Sequence, residues 1–414
     1  MPRTALPRIG VPFLEPSGHP DAIHEAGGEP VPLRLLGAHP GGGVALVREW
    51  IADMVQVSYA HERLDGLLVA AEKPEELGGF VLAALRLSLP TVVAPPSDAR
   101  LFAAFAALGL APLRSSPAEV ALEGARAGRP RPLELVEGFS LANALRAACS
   151  LGGGPETIVH LSAIAREAAA LGFDQMLRVL VPETLLLVEP CAPWVGEHGV
   201  AGLFAYLGEA LNDTLTVEGK LREILPPRPP APPPPAGSRL VFIEGRASGT
   251  EALCRLSGPQ REVAGVCRVL HSEEVAVRTV ERGSFDPGSL LVVGGCGPRS
   301  GPGLLRLDLL AQALRESGIE ERISILTDGF PPTEAKGIWI SLFSPEAAAG
   351  GVIARLRDGD TLRIDLTEGR IRTGIKAGEL EGRDPHEFPE PDGAGYAARY
   401  ARSALPALEG AGFG

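Results

Sequence analysis

The sequence predicts an α/β protein in two parts: a helix-rich α/β N-terminal domain, then a β-barrel-like C-terminal domain with covering helices. Three observations carry this expectation. In the first half, apolar runs of strand length at 66–70 and 91–94 flank a segment with helical spacing. In the second half, strand-length runs and glycine turns dominate. Between the halves, eight of the ten residues 226–235 are proline. The expected division is therefore 1–225, a proline-rich linker at 226–238, a barrel-like domain at 239–376 and a tail at 377–414.

Taken in order, Leu46, Val47, Trp50, Ile51 and Met54 form an amphipathic stripe. The 66–70 run is followed by a helix with Glu75 and Glu76 in its first turn and Leu77, Phe80, Val81 and Leu85 at helical spacing. With the 91–94 run this makes a right-handed parallel crossover. Further helices are expected over 98–108, 140–150, 157–170 and 200–211. Proline fixes φ and favours polyproline II, so the linker reads as a stiff spacer of about 31 Å, with an SH3-type ligand as the alternative. Beyond it, strands are expected at 240–243, 290–293, 323–326, 338–343, 352–356 and 361–364. Asp358-Gly359-Asp360 and Glu368-Gly369 supply turns. Helices are expected over 273–281, with Ser272 as N-cap, over 304–317, and over 396–405 before Pro406.

Composition bounds the function. Charged residues are 22% and apolar residues 45% of 414, enough for more than one core. A net charge of −12 and 5% aromatics argue against nucleic acid as a partner. No apolar run reaches the roughly 18 residues that a membrane span requires, and the proline-broken N-terminus does not read as a signal peptide. The five cysteines (149, 191, 254, 267 and 296) are widely spaced and odd in number. They read as buried thiols of a cytoplasmic protein rather than a disulfide or metal framework.

A string of short words points further. Ser272-Glu273-Glu274, Gly297-Pro298 with Gly301-Pro302-Gly303, Leu326-Thr327-Asp328-Gly329, Ser344-Pro345-Glu346-Ala347-Ala348 and Arg357-Asp358-Gly359-Asp360 follow one another in the second half. The first half adds Glu25-Ala26-Gly27-Gly28, Arg48-Glu49 with Asp53, Arg86, and Gly152-Gly153 before His160. From about residue 25 onward the chain resembles the dihydroxy-acid dehydratase and phosphogluconate dehydratase family, in a shortened form. That resemblance implies a hydro-lyase that removes water from a 2,3-dihydroxy acid to give a 2-keto acid. It also implies an iron–sulfur cluster on the leaving hydroxyl, magnesium on the carboxylate end and a serine alkoxide as base.

The residues expected to carry that chemistry are replaced. The family's Asn-Cys-Asp-Lys word falls on Glu72-Lys73-Pro74-Glu75, so Lys73 stands for the cluster thiolate, Pro74 for a magnesium aspartate and Glu75 for a lysine carbamylated in relatives. The Pro-Cys-Asn word has no counterpart before residue 40, and the third cysteine word is missing between about 112 and 133. A magnesium-binding Asp-Gly word falls near Pro40-Gly41, a magnesium glutamate becomes Arg306, and the Ser-Thr-Asn word becomes Gly154-Pro155-Glu156. The catalytic serine lands on Pro332, which has no side-chain donor or base.

The expectation is thus a family fold kept after loss of cluster-dependent dehydration, a pseudoenzyme with neither cluster nor magnesium as cofactor. It would act as a binding, regulatory or partner subunit, as a homodimer or as a heterodimer with a family member. An anionic hydroxy or keto acid would be held by Lys73 and Arg306 with the backbone at Gly153 and Gly301. The rival expectation is an active hydro-lyase with a rebuilt, cluster-free site, for which Asp328 and Thr333 are the catalytic candidates. Inhibition of a full-length relative through mixed dimers is a third. His160 reads as a satisfied core histidine, and the glycine runs at 41–43 and 152–154 as helix openings that fit no nucleotide-binding motif.

Overall fold

Four parallel strands open the chain: β1 (Arg8–Phe13), β2 (Glu29–Arg34), β3 (Gly66–Val69) and β4 (Thr91–Val93), ordered β2-β1-β3-β4. The structure, a computed structural model, describes residues 6–14, 17–35, 43–235, 238–245, 250–257, 261–283, 288–300, 303–376, 378–389, 391 and 393–414. Successive strand side chains point to opposite faces, so a sheet covered on both sides needs continuous apolar strands. Leu67 and Val69 accordingly face the larger core, while Leu68 and Val92 face a smaller one with Ile23 and Leu122.

The helices of this half are α1 (His19–Glu25), α2 (Val44–Tyr59), α3 (Pro74–Leu87), α4 (Ala99–Ala107), α5 (Pro117–Ala127), α6 (Pro132–Leu135), α7 (Gly138–Ser150), α8 (Pro155–Glu167), α9 (Phe173–Glu183), α10 (Pro193–Leu207) and α11 (Leu221–Ile224). A two-residue hairpin, β5 (Leu215–Thr216) and β6 (Gly219–Lys220), precedes α11. Residues 226–235 form no helix or strand and lie against α10, where Trp194 Nε1 donates to the Pro230 carbonyl at 3.0 Å.

The second half is a closed eight-stranded barrel. Its strands are β7 (Ser238–Gly245), β8 (Thr250–Ser257), β9 (Glu262–Leu270), β10 (Leu290–Val293), β11 (Ser324–Thr327), β12 (Ile338–Ser344), β13 (Thr361–Asp365) and β14 (Arg370–Thr373). They close in the order β10-β11-β12-β8-β7-β14-β13-β9. β9, β10, β11 and β12 run parallel to their neighbours in that run, and β8 returns antiparallel to β12. Leu290 and Val292 point into the barrel; Leu291 and Val293 point out to α12 (Glu273–Glu281) and α13 (Asp308–Glu316). Three short helices complete the chain: α14 (Val352–Arg355), α15 (Glu379–Gly382) and α16 (Tyr396–Ser403). The expected mixed α/β class with a barrel-like second half is what the chain adopts.

Several local readings need correction. The expected strand at 352–356 is the single helical turn α14, because Gly351 starts it from an extended conformation and five apolar-rich residues carry no readable period. Residues 115–130, where no element was expected, contain α5, whose buried face is built from Ala118, Val120, Ala121 and Leu122. The helix expected at 200–211 begins at Pro193 and bends at Gly199, whose φ is +63°. No helix of the described residues is long and apolar enough to cross a membrane.

The halves meet through Val44, Ala45 and Val159 against Leu304, Phe330, Leu342 and Tyr400. The N-terminus of α2 touches the barrel directly, with Val44 N donating to the Leu304 carbonyl at 3.0 Å. Gly43 permits this approach, since a Cβ there would fall 2.1 Å from the Gly303 carbonyl oxygen. Arg48, wholly buried, then pins the tail: its Nη2 donates to Glu49 Oε1 at 2.9 Å and to the Gly410 carbonyl at 2.6 Å.

Candidate functional site

The N-termini of α3 and α8 point towards the loop that enters α13, and charged side chains from all three meet there. Proline opens both helices at N1, where a missing N–H costs nothing, and each carries a glutamate in its first turn, favourable for the helix dipole. These are Glu75 and Glu156, each 8% exposed. Arg306 comes from the barrel side. Its Nη1 lies 3.0 Å from Glu156 Oε1 and 3.8 Å from Glu75 Oε2, and its Nε lies 3.0 Å from Asp308 Oδ2.

Electrostatics follows from that packing. Burial pushes the Glu156 carboxyl up to about 7, with the Arg306 charge opposing the rise. Burial raises Glu75 as well, and its Oε2 has no hydrogen-bond partner. Burial works against the charge of Arg306, but Glu156, Glu75 and Asp308 outweigh it and hold the guanidinium protonated. Two buried carboxylates thus share one cation, and the third, half-exposed carboxylate binds its opposite edge.

Lys73 lies at the N-cap of α3 with its side chain 65% exposed, and it pairs with Glu76 at 3.0 Å. That hydrogen bond, the largest influence on it, raises its pKa. Thr333 lines a cavity of about 40 Å³ with Asp98, Arg100, Glu156 and His160, room for a few water molecules. His160 is buried on α8, as expected, but neither ring nitrogen has a hydrogen-bond partner, which corrects the reading of a satisfied core residue. Burial, aided by the Arg48 and Arg306 charges, holds its pKa well below the usual value, so the imidazole is neutral.

Asp328 lies elsewhere, fully buried beneath the barrel loops. Its Oδ1 accepts from the backbone N–H of Cys296 at 2.9 Å, and its Oδ2 from Ala347 at 2.9 Å and Gly295 at 3.3 Å. Burial raises its pKa and those three bonds oppose the rise. The carboxylate ties together the loops after β10, β11 and β12. Gly153 is backbone closure between α7 and α8: its N–H donates to the Ala148 carbonyl at 2.8 Å, and a Cβ would crowd that same carbonyl. Gly154 caps α8. Gly301, Gly41 and Gly42 lie outside the described residues.

Cys149 lies in the N-terminal core, Cys254 and Cys267 in the barrel interior, Cys296 under α12 and α13, and Cys191 on the surface. Burial pushes Cys149, Cys254 and Cys267 up to about 12, which keeps them thiols, whereas a cluster needs converging thiolates. Among the described residues no three His, Cys, Asp or Glu side chains are grouped to hold a metal ion. At Glu75, Glu156 and Asp308 the space between the carboxylates is taken by the Arg306 guanidinium. These residues fit neither an iron–sulfur cluster nor a magnesium ion. The signal that sequence reasoning missed was the pairing: Glu75 and Glu156 were noted only as replacements, and nothing in their spacing shows that Arg306 neutralises both.

A larger cavity, about 580 Å³, lies away from this cluster, between α8, α9 and the barrel, with Arg166, Phe173, Arg178, Phe242 and Glu251 in its wall. None of the residues anticipated as functional lines it.

Comparisons with known proteins align with the fold and with the short words. Residues 228–411 match the family model described as dihydroxy-acid/6-phosphogluconate dehydratase C-terminal. The chain is 32% identical over 345 residues to dihydroxy-acid dehydratase 2 of Bordetella bronchiseptica, covering 74% of this chain and 60% of that one. It is 32% identical over 310 residues to the dihydroxy-acid dehydratase of Ignicoccus hospitalis, covering 67% and 55%. With that of Leifsonia xyli subsp. xyli the identity is 30% over 361 residues, covering 80% and 62%. The chain therefore spans somewhat more than half the length of the curated relatives it matches.

Proposed function

From a chain that belongs to the dihydroxy-acid/6-phosphogluconate dehydratase family, we propose a protein that has given up cluster-dependent dehydration and acts as a binding, regulatory or partner subunit. The observation that carries this reading is the Arg306 guanidinium held between Glu156, Glu75 and Asp308. A fixed internal cation repels the divalent or ferrous ion that water elimination from a dihydroxy acid would use as Lewis acid. The separation of the five thiols supports the same conclusion. The ligand is an anionic hydroxy or keto acid whose carboxylate competes with Glu156 for Arg306. The working assembly is a dimer, with itself or with a catalytically complete relative.

A second reading has one observation in its favour. Glu156, poised at about 7, shares the small cavity with Thr333 and the neutral His160, and a carboxyl near the operating pH is suited to general acid–base work. On this reading the chain is a hydro-lyase with a rebuilt site and Glu156 as its proton-transfer group.

Anaerobic purification, followed by iron, sulfide and magnesium analysis and a dihydroxy-acid turnover assay on the same sample, separates the two. A folded, metal-free and inert sample supports the first reading. Turnover without metal that is lost in Glu156→Gln supports the second. Bound iron with keto-acid formation overturns both.

A further inference from the structure

The proline segment plays no part in the site, yet it is more than a tether. A polyproline II helix has three residues per turn, so one laid along a surface turns every third residue inward. Pro229, Pro232 and Pro235 are half-buried, while Pro230, Ala231, Pro233 and Pro234 between them are exposed. The surface beneath is aromatic. Trp194 Nε1 donates to the Pro230 carbonyl, and the Arg228 guanidinium lies 4.8 Å from the centre of the Tyr206 ring. His198 and Tyr206 pack edge-on against Trp194, with ring centres 4.9 and 6.1 Å away. The segment is a strap fixed along one edge, with its other two edges in solvent.

We propose that those two edges form a docking surface for a partner protein domain with an aromatic-lined groove that reads polyproline II. Such grooves take successive dipeptides three residues apart and leave the third residue of each turn facing away. Pro230-Ala231 and Pro233-Pro234 are two such dipeptides, and the away-facing residue between them, Pro232, is the one turned to the protein. Because α10 already fixes the strap at Pro230, a partner bears less of the cost of ordering it. Arg228 at the start of the run suits a partner carrying a carboxylate beside its groove, which would draw the guanidinium off Tyr206.

The test is biolayer interferometry on the intact protein with a purified SH3 domain and a purified WW domain as probes. At least one probe should bind, and the triple variant Ala231→Asp, Pro233→Asp, Pro234→Asp should bind at least tenfold more weakly with an unchanged circular dichroism spectrum. A free peptide of residues 226–235 should displace the bound probe, a readout that stands even if the variant misfolds. Failure of both probes to bind, a variant that binds like the parent, or no displacement by the peptide overturns the proposal.

Discussion

Arg306 Nη1 and Glu156 Oε1 stand 3.0 Å apart although 150 residues separate them in sequence, and they join the barrel to the first turn of α8. The contact is an internal salt bridge between halves, made where two helix N-termini converge.

Removing the cation leaves two buried carboxylates facing each other. Arg306→Ala should lower stability by about 3 kcal/mol, the low end for breaking a buried pair because the guanidinium is partly exposed. Urea denaturation checks this, and Arg306→Ala combined with Glu156→Gln should recover part of the loss. A change under about 0.5 kcal/mol, the level of surface substitutions, would mean that the pair is ornamental.

Stability should fall as the solution becomes more alkaline across neutrality. Glu156 and Glu346, raised by burial to about 7 and about 8 from 4.5, keep protons in the folded chain that the unfolded chain has released. Their contribution is full below about 4.5 and is lost as pH rises through 7 and then 8. Thermal unfolding at pH 5 and pH 8.5 measures the drop, and Glu346→Gln should flatten its upper part.

Asp328 holds the loops after β10 and β12 by three backbone N–H groups, so Asp328→Ala orphans two buried donors and one part-buried one. A loss of about 3 kcal/mol or more is expected from the unpaired donors alone, with Asp328→Asn milder because one oxygen remains. If Asp328 instead acted on a ligand, ligand affinity would fall while the urea midpoint held.

Of the five thiols only Cys191 is exposed. Under native conditions a thiol reagent such as dithionitrobenzoate should therefore modify one cysteine per chain quickly, and the other four only on unfolding. Fast reaction of two or more would contradict the burial of Cys149, Cys254, Cys267 and Cys296.

Much of this architecture was legible in the sequence because long apolar stripes are hard to misread: α2, α3, α7 and the runs at β3, β4, β10 and β12 lie where periodicity put them. What escaped did so for physical reasons. β1 and β2 carry Pro12, Pro30 and Pro32, residues that lower strand propensity, and half of the buried residues of α5 are alanines, whose weak hydrophobicity blurs the stripe. In β8 and β9 Glu, Arg and Gly break the apolar residues into runs of three or fewer, too short to read as a strand. At the site, the replaced words led to Lys73 and Arg306, and both lie on the face where α3 and α8 meet the barrel. Their charge partners did not follow, because the match of Glu156 to Arg306 is a fact of three-dimensional juxtaposition.

Pro30 and Pro32 have a consequence for how copies of this chain can meet. In β2 the N–H groups of Glu29 and its odd-numbered neighbours turn towards β1, so the two prolines fall on the outer margin and leave it the N–H of Arg34 alone along the strand. The barrel, being closed, has no margin at all. Adding a strand from another molecule is therefore hindered beside β2 and finds no margin on the barrel.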